Sequence, residues 1–270
     1  MSMLRRVSRL IRMFFVTLVY TARQAWRLRR MPEAERARYQ ALRQTNGCRK
    51  LCRILNVHVT CTGTVPRDEA MLIVCNHIGM LDPFALATQM PVAFVAKAEM
   101  ASWPFAGWVC RVMGILFVDR NRRTRTNDFV ARVRRRMADG VHVLVFPEGT
   151  TNGEPELLPF KTGAFEAVAG LDEAHVLPCY LHVVAVNGRP ADDPVVRNHV
   201  VWAGGSQSFG EHAWHLLGLE RVDLEVRVGT PVPVAGRSRK ELAQDLHARV
   251  TALASPPAVI TPSAGRADAS

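Results

Sequence analysis

Residues 71–84 read MLIVCNHIGMLDPF, in which five apolar residues lead to the polar pair Asn76 and His77. A short apolar run that stops at polar residues is typical of a buried strand. Ligands of open α/β sheets bind at the carboxyl ends of such strands. The pair is therefore predicted to lie at a ligand-binding edge of a sheet.

His77 and Asp82 are the two residues of this segment that could act together. Five residues of an ideal helix turn through about 500°, so the two side chains can meet only if a loop separates them. Gly79 permits a bend, and Asp82-Pro83 is typical of a helix N-cap followed by proline. A carboxylate paired with an imidazole would leave one ring nitrogen as a general base. The segment alone also allows a simpler interpretation, in which Asp82 only caps a helix and His77 only completes a loop.

The composition is that of a globular protein whose positive charge is concentrated at one end. Of the 270 residues, 48% are hydrophobic and 22% are charged, which excludes a disordered chain. The net charge is +11, and the eight arginines of residues 1–30, with no acid among them, contribute +8 of it. The six cysteines form no CxxC pair. They are interpreted as reduced core residues of a chain in a reducing compartment, without a structural metal.

Residues 4–30 alternate arginine with large apolar residues around an apolar run at 13–22. This run is shorter than the about 20 residues that a bilayer requires. Aromatic residues with flanking arginines predict instead a helix that lies in an anionic membrane interface. A single membrane span, a plain surface helix and a nucleic-acid-binding arm are the alternatives. With a second helix predicted at 33–55, residues 1–56 form a predicted two-helix membrane anchor.

From residue 57 onward, strand and helix patterns alternate, which is the signature of an α/β sheet. The predicted strands cover 57–61, 71–75, 92–96, 115–118, 142–146, 176–186 and 222–228. The predicted helices cover 83–90, 102–112, 124–139, 163–170, 209–217 and 238–254. An α/β domain is therefore predicted over 57–254. Residues 255–270, rich in Pro, Ala and Ser, are predicted to form a disordered tail.

Several predicted strands end in polar side chains, which indicates one shared site along an edge of the sheet. An arginine there could bind a phosphate bidentately, and a lysine near a helix N-terminus could add a second positive charge. Taken singly, the cations could be surface ion pairs and Glu148 a turn residue. The side chains concerned are Asn76 and His77 after 71–75, Lys97 after 92–96, Asp119 and Arg120 after 115–118, Glu148 and Thr150 after 142–146, and Lys161 before the helix predicted at 163–170.

Four motifs in this order resemble those of the glycerolipid acyltransferases typified by 1-acylglycerol-3-phosphate acyltransferase. They are NHx4D at 76–82, GILFVDR at 114–120, FPEGT at 146–150 with FKTGAF at 160–165, and VLPCY at 176–180. The order and spacing fit over residues 58–186. The chain departs from the family in having Thr151-Asn152 where Arg-Ser is common and Cys179 where valine is usual, and the first departure affects one potential phosphate contact.

The resemblance implies an α/β domain with a mixed sheet flanked by helices, behind the N-terminal membrane-interface helical pair. It implies that His77 is the general base for the acceptor hydroxyl, and that Asp82 fixes the tautomer of His77 and stabilises its imidazolium. The substrate-binding residues predicted alongside this catalytic pair are Asn76, Lys97, Arg120, Glu148, Gly149, Thr150 and Lys161.

The implied reaction moves a fatty acyl group from acyl-CoA or acyl-carrier protein to the free sn-2 hydroxyl of lysophosphatidate, giving phosphatidate for phospholipid biosynthesis. Another lyso-lipid, such as lyso-ornithine lipid, is the alternative acceptor. No bound cofactor, metal or nucleic-acid partner is expected. Membrane phospholipids are the expected partners, at the cytoplasmic face of the cell membrane.

Two other classes of protein fit the sequence less well. A serine hydrolase needs a G-x-S-x-G elbow, and the nearest segment, GGSQS at 204–208, lacks the final glycine. A module that only binds membranes or nucleic acids would account for the arginines but not for polar residues at three strand ends.

Overall fold

The computed structural model of the chain describes residues 2–118, 126–153, 156–202 and 207–255. Within these ranges the α-helices are α1 (Ser2–Leu28), α2 (Glu33–Leu55), α3 (Asp82–Gln89), α4 (Pro104–Met113), α5 (Thr126–Ala138), α6 (Pro194–Arg197), α7 (Phe209–Gly218) and α8 (Arg239–Ala252). Two short 3-10 helices cover Ala98–Ser102 and Thr162–Phe165.

The strands form one mixed sheet. They are β1 (Val57–Thr62), β2 (Leu72–Cys75), β3 (Val92–Lys97), β4 (Leu116–Val118), β5 (His142–Val145), β6 (His175–Val186), β7 (Arg189–Pro190), β8 (Val222–Val228) and β9 (Val232–Pro233). Their spatial order is β1-β8-β6-β2-β5-β3-β4, and β7 and β9 both pair with β6. Strands β6, β2, β5, β3 and β4 run parallel, whereas β8 is antiparallel to β6. The predicted mixed sheet flanked by helices is confirmed.

Strand β2 lies at the centre of the core because both of its faces are covered. Leu72 and Val74 pack in a cluster with side chains of α5 and α8, and Ile73 and Cys75 pack in a second cluster with side chains of α3. All four residues of β2 are fully buried. This explains why the strand reads as a continuous apolar run rather than as an alternating one.

The two N-terminal helices pack against the rest of the molecule. Helix α2 contributes Cys48 and Cys52 to the same core cluster as α3. The core therefore continues from α2 into the residues that follow position 56. Helix α1 packs on α2, α4 and α7. In the described part of the chain, no helix combines the length and the apolar character that a membrane crossing requires.

Two arginines of α1 turn inward, toward the end of α7. Arg9 is buried and donates to the carbonyls of Leu217, at 3.1 Å, and Leu219. Arg5 donates to the carbonyl of Gly218 at 2.9 Å. The last carbonyls of a helix lack partners within the helix, so arginine donors satisfy them and neutralise their partial negative charge. Part of the N-terminal positive charge is therefore used inside the protein.

The predicted elements agree with the structure except at a few places. The helix predicted at 163–170 is only the 3-10 helix Thr162–Phe165 followed by turns. The segment is short and has glycine at both ends, and each glycine costs about 1 kcal/mol in a helix. Helix α5 is described from Thr126. Residues 124–125 of the predicted helix, and all but Ser255 of the tail predicted at 255–270, lie outside the described residues.

Candidate active site

The sheet order brings several of the predicted site residues to one edge. Strands β2, β5, β3 and β4 are parallel neighbours, so their carboxyl ends lie side by side. His77 follows β2, Glu148 follows β5, and Lys97 is the last residue of β3. Arg120 comes two residues after β4 in the sequence, but Asp119 and Arg120 lie outside the described residues.

His77 and Asp82 are hydrogen bonded across the loop that follows β2. His77 Nδ1 lies 2.7 Å from Asp82 Oδ2, and the His77 side chain is 24% exposed, whereas that of Asp82 is buried. An ionised carboxylate only accepts hydrogen bonds, so Nδ1 must carry the ring proton. The lone pair is then on Nε2. The pair has the geometry of an imidazole base held by a carboxylate.

Asp82 anchors the preceding loop rather than capping a helix. It is the first residue of α3, and its Oδ2 accepts hydrogen bonds from the backbone N–H groups of Ile78, at 2.6 Å, and Gly79, at 2.9 Å. Helical side chains lean toward the N-terminus of their helix, so a carboxylate at this position reaches back over the loop. The expectation that Asp82 is an N-cap is wrong for this reason.

Gly79 lies in a bend of the chain, and close packing also requires glycine there. A side chain at Gly79 would place its Cβ 2.8 Å from the carbonyl oxygen of Val200. The neighbouring carbonyl of Ile78 accepts a hydrogen bond from the N–H of Trp202 at 2.8 Å. Residues 200–202, which come more than 100 positions later in the chain, therefore hold the His77 loop from outside.

Phe146 supports the imidazole of His77 from one side. The two rings are stacked, with centroids 4.1 Å apart and an angle of 13° between their planes. Phe146 directly follows β5, the strand next to β2. A flat apolar surface under the imidazole restricts its rotation, so the ring stays aligned with Asp82.

Glu148 holds the backbone of His77. Its Oε1 accepts a hydrogen bond from the His77 N–H at 2.8 Å, and its Oε2 accepts one from the Leu158 N–H at 2.9 Å. The side chain is buried, and burial raises the pKa of its carboxyl group, while these two N–H donors oppose the rise. Because each oxygen has a backbone donor, the structure gives Glu148 a positioning role.

The side chain of Asn76 is also hydrogen bonded to the protein backbone. Its side-chain oxygen accepts from the Leu181 N–H at 2.7 Å, and its side-chain nitrogen donates to the Leu181 carbonyl at 3.0 Å. The residue is buried. The amide thus joins the end of β2 to β6, beside the loop that carries His77, and it faces backbone rather than solvent.

The remaining predicted residues lie near the surface of the same edge. Lys97, Thr150 and Lys161 are exposed. Lys161 lies over Gly149, where a Cβ would be 2.6 Å from its Nζ, and the positive φ of 77° at Gly149 also favours glycine. Lys161 thus places a cation beside the FPEGT loop, although a 3-10 helix and not an α-helix follows it.

Two contacts to the His77 loop could not be found from the sequence. The Asn152 N–H donates to the His77 carbonyl at 2.7 Å, and the Trp202 N–H donates to Ile78 as described above. Both contacts use backbone groups, so no side-chain pattern signals them. The described residues contain no cluster of His, Cys, Asp and Glu that could hold a metal ion.

The chain is similar to known acyltransferases. The model of the family named Acyltransferase matches residues 56–182. The lyso-ornithine lipid O-acyltransferase of Brucella abortus (strain 2308) is 32% identical over 215 residues, which are 76% of this chain and 79% of that protein. The 1-acyl-sn-glycerol-3-phosphate acyltransferase of Neisseria gonorrhoeae is 35% identical over 99 residues, or 37% of this chain and 39% of that protein.

A solved structure shares the whole fold. The crystal structure of the 1-acyl-sn-glycerophosphate (LPA) acyltransferase PlsC from Thermotoga maritima has a TM-score of 0.69 and covers 94% of this chain and 96% of its own. The sequence identity is 20%, so this likeness concerns the fold alone.

Proposed function

The chain belongs to the acyltransferase family, and on that premise we propose that it transfers a fatty acyl group from an acyl thioester to the free hydroxyl of a lyso-lipid. The observation that carries the proposal is the 2.7 Å hydrogen bond between His77 Nδ1 and Asp82 Oδ2 at the carboxyl edge of the sheet. A direct transfer needs one base and an acceptor hydroxyl, and this pair supplies the base.

In the proposed reaction, His77 Nε2 removes the proton of the acceptor hydroxyl as its oxygen attacks the thioester carbonyl. Asp82 stabilises the imidazolium that forms. The tetrahedral intermediate collapses by breaking the carbon–sulfur bond, and the imidazolium returns its proton to the thiolate. A thiol with a pKa of about 8.5 is a good leaving group, so no stronger acid is required. Acyl-CoA and acyl-carrier protein are the proposed donors, and no step uses a bound cofactor.

For the acceptor we propose lyso-ornithine lipid first and lysophosphatidate second. The Brucella relative named for lyso-ornithine lipid aligns over 76% of the chain, whereas the Neisseria relative named for the glycerol phosphate aligns over 37%. The sequence motifs alone had favoured lysophosphatidate. We place lyso-ornithine lipid first because the similarity to the Brucella relative covers more of the chain. The motifs are common to both groups, so lysophosphatidate is the second candidate.

We also propose that the enzyme acts at the cytoplasmic surface of the cell membrane, with α1 in the lipid interface. Large apolar side chains of α1 are exposed, and one of them, Phe14, contacts Phe105 of α4 with ring centroids 5.2 Å apart and an angle of 36° between the rings. An exposed apolar helix flanked by arginines suits an interface of anionic lipids. The exposed apolar residues of α1 are Met3, Leu4, Val7, Leu10, Ile11, Phe14, Phe15, Val19 and Trp26.

Acyl transfer to both acceptors tests the proposed function. Wild type and the His77→Ala variant are incubated with a long-chain acyl-CoA and either lyso-ornithine lipid or lysophosphatidate, and the diacylated products are measured. Product formed by wild type and not by the variant supports the proposal, and the preferred acceptor decides the substrate. Release of free fatty acid in place of acylated product, or no product with either acyl-CoA or acyl-carrier-protein donors, would contradict it.

A further inference from the structure

Arg197, the last residue of α6, is held firmly beside the catalytic loop. Val196 before it and Val200 after it are buried in the main core, and the Val200 N–H donates to the Arg197 carbonyl at 3.0 Å. At the other end of α6, the Asp193 carboxylate accepts from the Val195 N–H at 2.9 Å. The backbone that carries the guanidinium is therefore fixed.

The guanidinium of Arg197 reaches the loop that contacts His77. Its Nη2 donates to the carbonyl of Gly153. The preceding residue, Asn152, donates its N–H to the His77 carbonyl at 2.7 Å. Arg197 therefore binds the residue that follows Asn152, and Asn152 contacts the backbone of His77. The Cα atoms of these consecutive residues are about 3.8 Å apart.

Within the described residues, no carboxylate forms an ion pair with Arg197. Its Nε is buried and has no hydrogen-bond partner among those residues. Arg227, in contrast, pairs with Glu225 at 2.8 Å and donates to the carbonyl of Leu253. A half-buried guanidinium that has no counter-ion among the described residues is costly, and a bound anion would offset that cost.

Tyr180 on β6 is close enough to Arg197 and Glu148 to feel both charges. Burial raises the pKa of the Tyr180 hydroxyl, the nearby charges of Arg197 and Arg227 oppose the rise, and the carboxylate of Glu148 adds to it. The hydroxyl therefore stays protonated at neutral pH and can donate a hydrogen bond. The neighbouring His182 adds no positive charge, because burial and Arg227 lower its pKa.

We propose that Arg197 binds the oxyanion of the acceptor headgroup and thereby sets the preference for lyso-lipids whose headgroup carries an oxyanion. The oxyanion is a carboxylate in an ornithine headgroup and a phosphate in lysophosphatidate. A planar guanidinium with several donors suits either group. This inference rests on the proposed function, and it names the part of the site that selects the acceptor.

The test compares Arg197→Gln with Arg189→Gln, a change at an exposed arginine of the same segment whose charge is paired with Asp193 at 3.5 Å. For each variant, kcat and the KM values for donor and acceptor are measured with lyso-ornithine lipid and with lysophosphatidate. Arg197→Gln should raise the KM for the acceptor about 10- to 100-fold, as expected for loss of a charge-assisted contact. The donor KM and the melting temperature should stay near the wild-type values, and Arg189→Gln should change neither KM.

Two further variants keep the test decisive if Arg197→Gln folds poorly. Arg197→Lys keeps the charge without the planar fork, so it should fold and raise the acceptor KM by an intermediate factor. Direct binding of lyso-ornithine lipid in detergent, measured with His77→Ala and with His77→Ala/Arg197→Lys, removes turnover from the comparison. The acceptor should bind more weakly to the double variant.

Three results would overturn the inference. An acceptor KM within twofold of wild type in both Arg197 variants excludes a headgroup contact. An equal rise in the KM values for donor and acceptor indicates that Arg197 has a purely structural role. A wild-type protein that acylates neither acceptor overturns the proposed function and this inference with it, whereas normal wild-type turnover with unaffected Arg197 variants overturns the inference alone. The relative effect on the two acceptors shows whether carboxylate or phosphate is the preferred oxyanion.

Discussion

The carboxylate of Glu148 accepts a hydrogen bond from the backbone N–H of His77 at 2.8 Å. Glu148 follows β5 and His77 follows β2, so this bond joins the loops of two neighbouring parallel strands. The NHx4D and FPEGT motifs are therefore parts of one assembly, in which the second motif holds the backbone of the first. Substrate binding by Glu148 remains a prediction from the sequence, whereas its contacts assign it to positioning.

Glu148→Gln should lower kcat about 10- to 100-fold with little change in the donor KM. A glutamine has one acceptor oxygen, so one of the two backbone N–H groups is left unpaired, at a cost of about 1–3 kcal/mol. Steady-state kinetics of the variant measure the loss, with the exposed Glu173→Gln as the matched control. A Glu148→Gln enzyme as fast as wild type would show that the loop keeps its place without this carboxylate.

His77→Ala should lower kcat by about 10²- to 10⁴-fold, the usual contribution of a general base. Asp82→Asn should cause a smaller loss, because the imidazole remains but loses the carboxylate that orients it and stabilises its charged form. Single-turnover acyl transfer measures both losses. Binding to lipid vesicles should be unchanged in both variants, and a larger loss in Asp82→Asn than in His77→Ala would contradict the assignment of the base.

Arg9→Leu should lower the free energy of unfolding by about 1.5–3 kcal/mol, because hydrogen bonds to a charged donor contribute that amount. The substitution leaves the carbonyls of Leu217 and Leu219 without their donor. Urea unfolding in detergent, followed by circular dichroism, measures the change. The exposed Arg12→Leu serves as the control, and equal stability of the two variants would show that the contact to α7 contributes nothing.

The combined substitution Leu10→Ser and Phe15→Ser should weaken binding to anionic vesicles at least tenfold, since each buried apolar side chain contributes about 1.5–3 kcal/mol. Both residues are exposed on α1. Val195→Ser, at an exposed position of α6, is the control and should bind as wild type does. Point changes are preferable to deletion of residues 1–30, because α1 also packs on three other helices. Unchanged sedimentation of the double variant with vesicles would remove α1 from the interface.

Acidification should destabilise the protein through His142. Its Nδ1 accepts from the Met71 N–H at 3.0 Å, and its pKa is lowered, mainly by burial. His142 therefore binds a proton more readily in the unfolded chain than in the folded chain. Its contribution to the unfolding free energy is complete above the ordinary pKa of about 6.5, and it decreases as the pH falls from there toward the lowered pKa. The unfolding free energy should thus be smaller at pH 5 than at pH 7.5.

His142→Asn should reduce this dependence on pH, because an amide oxygen can accept from Met71 without titrating. Chemical unfolding at the two pH values measures the difference, with the exposed His58→Asn as control. Histidines 182, 212 and 215 also have lowered pKa values, so a remaining dependence is expected. If the unfolding free energy changes equally with pH in wild type and in His142→Asn, His142 does not contribute to the acid destabilisation.

The parts of the site that could be predicted depend on local sequence or on strand order. His77 and Asp82 are five positions apart, so one short loop brings them together, and a fully buried strand before them reads as an unbroken apolar run. The shared edge follows from parallel strands with polar ends. These features need no knowledge of how distant segments pack.

The features that the sequence did not reveal depend on distant segments or on backbone groups. Trp202 contacts the His77 loop through its N–H, which every residue except proline possesses. Arg197 and the inward-facing Arg9 look in the sequence like any other surface arginine, and only the packing of α6 and α1 distinguishes them. Asp82 was expected to cap α3 because Asp-Pro is common at helix starts, and the direction of the side chain decided otherwise.

The hydrogen bond from Arg9 to the carbonyl of Leu217 joins positions 208 residues apart. Synthesis proceeds from the N-terminus at about 5–20 residues per second, so α1 exists for about 10–40 s before its partners in α7 are made. During that interval Arg5 and Arg9 lack their acceptors at the end of α7, and a membrane surface is open to them. For the proposed membrane location, we expect α1 to contact lipid before the α/β domain is complete.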